Sequence, residues 1–280
     1  MNVAALSKED FDVFREYFYK KTGIEFDESK RYFVDKRLLK RMEETGARSF
    51  RDYFISLRFE ASQNEFQNVV NVMTVNETYF YREVHQFKTL VTDVLPEIVA
   101  SSPIRKAPIR ILSLPSSTGE EPYSIALQLI ENWKDLARYD VELSGADIDT
   151  NVLKKAQQGL YSRRSVQHLP PDVLARHFMT QPGGHFQISE EIREAVSLFK
   201  VNLSNRDDGR KLRNFDVIFC RNLLIYFDDT SRQQAISTLF DALNPGGFLF
   251  LGHSESISRM SSLFEVRRFP GSIVYQRPLT

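Results

Sequence analysis

Four short segments carry side chains that a folded core does not need. In Ser113-Leu114-Pro115-Ser116-Ser117-Thr118-Gly119-Glu120-Glu121-Pro122, an apolar run gives way to hydroxyls, one glycine and two carboxylates. Gly119 permits close approach of a ligand to the backbone, and a helix starting there offers free N–H groups. Paired carboxylates would repel a phosphate. They suit a ligand with ammonium or sulfonium charge, or hydroxyls in need of acceptors. In Gly145-Ala146-Asp147-Ile148-Asp149, Asp147 ends an apolar run where a ribose hydroxyl could be met, and Asp149 is placed to cap the next helix. Asn76-Glu77-Thr78-Tyr79-Phe80-Tyr81-Arg82 combines hydrogen-bonding side chains, three aromatics and a guanidinium. Phe219-Cys220-Arg221-Asn222-Leu223-Leu224-Ile225-Tyr226-Phe227 sets Arg221 and Asn222 where a buried run ends, then returns to apolar residues. Each has a plainer reading alone. Glu120 and Glu121 stabilise a helix start through its dipole, Arg82 and Arg221 form structural salt bridges, and Tyr226 is core. Four such segments aimed at one crevice resist that reading.

The elements that must position them follow from periodicity. Residues 1–75 read as a helical domain. Ser7 and Asp10 form a capping box, Phe11, Phe14 and Phe18 share a face, and Gly23 stops the helix. A second helix is expected over about 29–45, a third after Ser49, and a fourth around Phe66, Val69, Val70 and Met73. From residue 76 to 280 the pattern changes to strands alternating with helices. Strands are expected at 109–114, 141–146, 216–220 and 248–251, and a closing hairpin at 264–276 around Pro270-Gly271. The fold class is α/β: a doubly wound, mostly parallel sheet with an antiparallel terminal hairpin. Residues from about 161 to 201, with Pro170-Pro171 and Gly183-Gly184, break the rhythm and are expected as an inserted β-subdomain. Ligands of such sheets bind beyond the carboxyl ends of the strands, where strand order reverses.

Composition bounds the remaining classes. Of 280 residues, 42% are hydrophobic, with 22 Phe and 11 Tyr, so the chain can bury a core and is not globally disordered. Basic and acidic residues balance at 37 each, which disfavours a nucleic-acid binder held by overall field. One cysteine excludes an internal disulfide and a Cys-rich zinc site, and fits the cytoplasm. Early charges (Lys8, Glu9, Asp10) leave no signal-peptide stretch, and no run approaches the roughly 20 apolar residues a membrane span needs.

Taken together, NETYFYR, STGEEPYS, DIDT, FCRNLLIYF and GHSES (Gly252–Ser256) resemble the chemotaxis receptor methyltransferases, the CheR family. The likeness covers nearly the whole chain. It implies a class I S-adenosylmethionine-dependent methyltransferase sheet with an N-terminal helical domain and a small inserted β-subdomain. It also implies methylation of glutamate side chains on chemoreceptors, with S-adenosylhomocysteine as product. Carried over by motif, Asn76, Thr78, Arg82, Glu120, Asp147, Asn202, Leu203, Cys220, Arg221 and Asn222 are expected to hold the cofactor. Arg82 and Tyr226 are expected at the transfer site. Two departures stand out: Leu114-Pro115-Ser116 replaces a small Ala-Gly-Cys run, and Tyr81 stands where Phe is common.

The chemistry asks little of the protein. A glutamate carboxylate, with a pKa of about 4.3, is already the nucleophile at neutral pH, so no general base or metal is needed. Within residues 30–41 of the second helix, Lys30, Arg31, Lys36, Arg37, Lys40 and Arg41 stand against one acid, Asp35, a stretch that is self-repelling unless something acidic covers it. Ordinarily such a run is a solvated face. The resemblance implies instead that Lys36, Arg37, Lys40 and Arg41 meet glutamate-rich receptor helices, and that the β-subdomain is where some members of the family grip a receptor tail by strand addition. A monomer without nucleic-acid or membrane insertion is expected. Two other classes fit less well: a docking protein without turnover, against which the intact motifs speak, and a nucleic-acid methyltransferase, for which the base-flipping Asn/Asp-Pro-Pro-aromatic motif is missing after the fourth core strand.

Overall fold

The computed structural model describes residues 6–101, 107–257 and 262–279. Helix α1 (Lys8–Thr22) begins at a reciprocal cap, Asp10 N to Ser7 Oγ at 3.0 Å and Ser7 N to Asp10 Oδ2 at 2.9 Å. It ends at Gly23, whose φ of 72° suits the left-handed stop. A 3₁₀ turn at Glu28–Lys30 leads into α2 (Arg31–Thr45), followed by α3 (Phe50–Phe59) with Ser49 as its cap, and α4 (Asn64–Met73). Phe11, Phe14, Phe18, Val34, Leu38 and Val69 are fully buried, each contributing about 1.5–3 kcal/mol relative to exposure.

Beyond the linker, α5 (Val84–Thr89) runs through a π turn into α6 (Leu95–Ser101). The sheet domain then follows as β1 (Ile109–Ser113), α7 (Glu120–Asn132), β2 (Val141–Asp147) and α8 (Thr150–Gln158). The excursion β3 (Leu160–Tyr161), α9 (Arg163–Val166), α10 (Pro171–His177), β4 (Phe178–Gln181), β5 (His185–Ile188) and α11 (Glu190–Glu194) comes next. The chain closes with β6 (Val196–Lys200), α12 (Arg206–Lys211), β7 (Phe215–Cys220), α13 (Asp229–Ala242), β8 (Leu243–Leu251), β9 (Glu265–Phe269) and β10 (Ser272–Gln276).

The main sheet has the order β6-β2-β1-β7-β8-β10-β9. Strands β6, β2, β1, β7 and β8 are parallel, and β10 is antiparallel to both β8 and β9. From β1 the chain steps outward to β2 and β6, then returns to β7 on the other side of β1. The reversal point therefore lies between β1 and β7, and the crevice opens beyond their carboxyl ends. Strand alternation divides the core by face. Ile111, Val217, Phe219 and Phe250 pack on one side, and Leu112, Ile218, Cys220 and Leu249 on the other. The second side is continuous with the phenylalanine core of α1–α4, so the helical domain is packed against the sheet.

The inserted subdomain is shorter than the expected 161–201. Its three-stranded sheet, β3-β5-β4, ends at Ile188, and β6 joins the main sheet, with Leu143 opposite Val196 and Asp147 opposite Lys200. An edge strand buried on one face alternates like the insert's strands, which is why its membership did not stand out. Helix α7 starts at Glu120, two residues before Pro122, so both glutamates lie in its first turn behind the N-cap Gly119 at φ 95°.

Candidate active site

Two adjoining cavities occupy the crevice. One, of about 190 Å³, is mostly apolar: Ile24, Phe26, Phe33, Met73, Leu114 and Leu203 line it, with Asp147 and Asn202 at its polar margin. The other, of about 260 Å³, is the more polar of the two, with Glu77, Thr78, Arg82, Glu121 and Arg221 on its walls beside Tyr79, Phe87 and Ile225. Val75, Asn76, Pro115, Asn222 and Tyr226 border both.

Asp147 ends β2 and is buried. Its Oδ2 accepts from Ser117 N at 2.8 Å and its Oδ1 from Asp149 N at 2.9 Å. Burial nevertheless pushes its carboxyl up to about 6. Asp149 caps α8, Oδ1 accepting from Asn151 N and Val152 N, while Oδ2 accepts from Thr74 Oγ1 at 2.7 Å and Asn76 Nδ2 at 2.9 Å. The cap thus fixes Asn76 on the wall both cavities share. Asn202 joins the domains, its Nδ2 donating to Lys21 O at 2.7 Å and its Oδ1 accepting from Ser204 N at 3.1 Å. Leu203 is buried on the apolar wall.

In the polar cavity, Arg82 donates Nη1 to Glu77 O at 2.9 Å, with its guanidinium 5.9 Å from the Tyr79 ring centre. Tyr226 lies in a 3₁₀ turn, Leu224–Tyr226, half-buried at the junction of the cavities. Burial raises its hydroxyl pKa, and Arg82 opposes that rise. Asn222, beside it, has a left-handed φ of 59°.

Three expected site residues sit differently. Glu120 borders neither cavity; its buried carboxylate accepts from Ser165 Oγ and, at 2.5 Å, from Thr118 Oγ1. Its neighbour Glu121 faces the polar cavity instead, since successive residues of a helix point to different faces. Glu121 Oε1 accepts from Ser113 Oγ at 2.8 Å and Oε2 from Arg221 Nη1 at 2.9 Å; burial raises its pKa and Arg221 opposes this. Cys220 is fully buried and borders neither cavity; it is packed into the core between the sheet and the helical domain, and burial pushes its thiol up. Arg221 does line the polar cavity, but as a buried clamp. It joins Glu121 to Glu83 (3.3 Å) and donates Nη2 to Arg82 O at 2.8 Å. The salt-bridge reading thus holds for Arg221. Glu121 was missed because adjacent glutamates differ only in which face they occupy.

The cations of helix α2 find much of their acidic cover within the helical domain, from α2 itself and from α4. Arg41 pairs with Glu65 at 2.5 Å and with Glu44, and Lys40 lies 3.7 Å from Glu44. Arg37 donates to Val72 O at 2.7 Å and Phe33 O at 3.2 Å and stacks 3.4 Å from the Phe33 ring centre. Arg37 and Arg41 therefore brace α2 against its neighbours and are not part of a free basic face. Lys36 and Lys40 are exposed on one stripe with Tyr32, which is 78% exposed.

The cavities suit S-adenosylmethionine. The apolar slot accommodates a flat base, and Asp147 at its margin offers acceptors for sugar hydroxyls. Next to Asp147, Ser117 Oγ is buried and has no partner among the described residues. The polar cavity has cations and carboxylates on its walls for a charged amino-acid group.

This sheet order, with a carboxylate at the tip of β2 and the crevice at the β1/β7 reversal, defines the class I S-adenosylmethionine-dependent methyltransferase fold. Residues 76–272 match the CheR methyltransferase SAM binding domain and residues 9–74 the CheR methyltransferase all-alpha domain. The chain is 53% identical to chemotaxis protein methyltransferase 2 of Vibrio cholerae, covering 99% of this chain and 96% of that protein. It is 36% identical to chemotaxis protein methyltransferase 2 of Pseudomonas aeruginosa, over 96% of this chain and 93% of that one. With the Escherichia coli chemotaxis protein methyltransferase it shares 34% identity, over 97% and 91%. The chain belongs to the CheR methyltransferase family, and is an S-adenosylmethionine-dependent methyltransferase. Among the described residues no helix is long and apolar enough to cross a membrane.

Proposed function

We propose that this enzyme methylates glutamate side chains on the cytoplasmic helices of chemoreceptors, acting in the cytoplasm and forming glutamate methyl esters. The observation that carries this reading is the meeting of an apolar cavity ending at Asp147 with a polar cavity bearing Arg82, across the shared residues Asn76, Asn222 and Tyr226. When bound, S-adenosylmethionine supplies a methyl group on an electron-poor sulfonium.

The chain's own residues do the rest by placement. Asp147 accepts from the ribose hydroxyls, and Leu203 and Asn202 border the base. Asn76 and Thr78 offer polar groups on the shared and polar walls. Arg82 draws the incoming carboxylate inward and offsets the loss of its hydration. Tyr226 donates its hydroxyl near the transfer point; a phenol is already protonated at neutral pH, and burial raises its pKa further. A glutamate needs no deprotonation at neutral pH, so alignment and partial removal of water suffice.

The exposed stripe of Tyr32, Lys36 and Lys40 on α2 is the docking face for a glutamate-rich helix. The test is transfer of a labelled methyl group from S-adenosylmethionine to candidate receptors. Label should appear on the receptor and leave as methanol in mild base. Base-stable label would sink the ester assignment, and label on no receptor despite bound cofactor would sink the substrate class.

A further inference from the structure

The GHSES segment follows β8 and contributes nothing to the roles above, yet one of its side chains grips the Tyr226 loop. Glu255 Oε2 accepts from Asn222 N at 2.7 Å and Gly252 N at 2.8 Å, and its Oε1 accepts from Leu224 N at 2.8 Å. A single half-buried carboxylate thus holds three backbone donors from two loops. Such charge-assisted bonds are roughly twice as strong as neutral ones. The site is tight: a Cβ on Gly252 would lie 2.8 Å from Glu255 Oε2 and 3.1 Å from Asn222 N.

The same loop is held from its other side by its carbonyls. Arg232 donates Nε to Leu224 O at 3.2 Å and Nη2 to Phe227 O at 2.8 Å. Glu25 N, from the turn after α1, donates to Tyr226 O at 3.1 Å. Asn222 sits at a left-handed φ of 59°, a conformation that persists only when surroundings enforce it. The carboxylate on Asn222 N is one of the contacts that hold it there.

We infer that Glu255 is a positioning residue: its carboxylate fixes the backbone at Asn222 and Leu224, and through that loop the Tyr226 hydroxyl, at the junction of the two cavities. This rests on the reading of Tyr226 at the transfer site. Glu255 itself borders neither of those two cavities, so its effect passes through the loop.

Glu255→Gln is the informative variant, because it keeps the shape and removes one acceptor. Hydrogen exchange, followed by mass spectrometry on the full-length enzyme without cofactor, should quicken over 222–227 and remain slow over β1. Displacement of a reacting geometry by about 1 Å costs on the order of 10²-fold, so kcat should fall by up to that factor with receptor KM little changed. In the Tyr226→Phe background, Glu255→Gln should cost much less than alone, since one route carries both effects. Unchanged exchange over 222–227, or fully additive losses in kcat, would overturn the inference. Wild-type kcat in Tyr226→Phe alone would instead overturn the role given to Tyr226, while the exchange measurement still decides whether Glu255 holds the loop. Should Glu255→Gln unfold, Glu255→Asp provides the same readouts: one methylene shorter, it cannot reach both loops.

Discussion

The two cavities that meet at Asn222 and Tyr226 are built of opposite materials. The apolar one takes Ile24, Phe26, Phe33 and Met73 from the helical domain and Leu114 and Leu203 from the sheet domain, so both domains must be docked for it to exist. The polar one rests on a buried ion network in which Arg221 ties Glu121 of α7 to Glu83 and to the carbonyl of Arg82. Apolar burial is non-directional and tolerates small shifts, whereas the ion network fails if one member is lost. The difference teaches that the two walls fail in different ways, and substitutions can pull them apart.

The largest effect is expected at Arg221. Arg221→Ala leaves Glu121 and Glu83 without their cation, and removing one partner of a buried pair costs about 3–5 kcal/mol. Thermal unfolding should show a clearly lowered midpoint; an unchanged midpoint would break the claim that this network supports the polar cavity. Next comes Arg82→Ala, for which kcat should fall by about 10²–10³ at saturating cofactor. A raised KM with intact kcat would instead mark Arg82 as a uniform binding contact.

The apolar cavity responds at Asp147. Asp147→Ala should weaken cofactor binding by about 1.5–3 kcal/mol, measured by calorimetry on a folded variant. Its carboxyl also sets a pH window. With the native pKa raised from 3.8 to about 6, the unfolded chain releases its proton first as pH rises. Stability contributed by this group is complete below about 4, declines as pH rises towards 6 and is level above, while cofactor affinity grows over the same interval as the carboxylate ionises. Asp147→Asn should flatten both profiles; persistence of either in that variant would assign it to another group.

The smallest effect belongs to α2. Lys36→Glu with Lys40→Glu should raise receptor KM several-fold and leave stability alone, and wild-type KM should rise with salt, as exposed charges are screened within about 8 Å. Arg37→Glu or Arg41→Glu should lower the unfolding midpoint instead, because those side chains hold Val72 O and Glu65. If all four substitutions acted alike, the division of this helix into inner and outer cations would be wrong.

Much of this was legible in the chain. Ser7, Gly23 and Ser49 announce helix ends because a cap is a hydrogen bond within three or four residues. Strands such as Phe215–Cys220 announce themselves as buried runs, and the strand-tip motifs converge because doubly wound sheets bring carboxyl ends together. The tertiary structure alone decided the rest. The Glu121–Arg221 pair joins residues far apart in sequence, and no local signal separates Glu121 from Glu120 until the packing of α7 chooses a face. The same holds for Arg41, whose partner Glu65 lies on another helix, and for Cys220, which the packing of the helical domain on the sheet encloses in the core. Glu255 is the extreme case: it closes a hydrogen-bonded loop with Asn222 and Leu224 across an entire helix and strand. Sequence by itself determined caps, periods and the chemical inventory, because those interactions close within a few residues. Which member of the inventory faces the crevice, and which holds another in place, depends on distant segments packing together, and is settled only when the chain has folded.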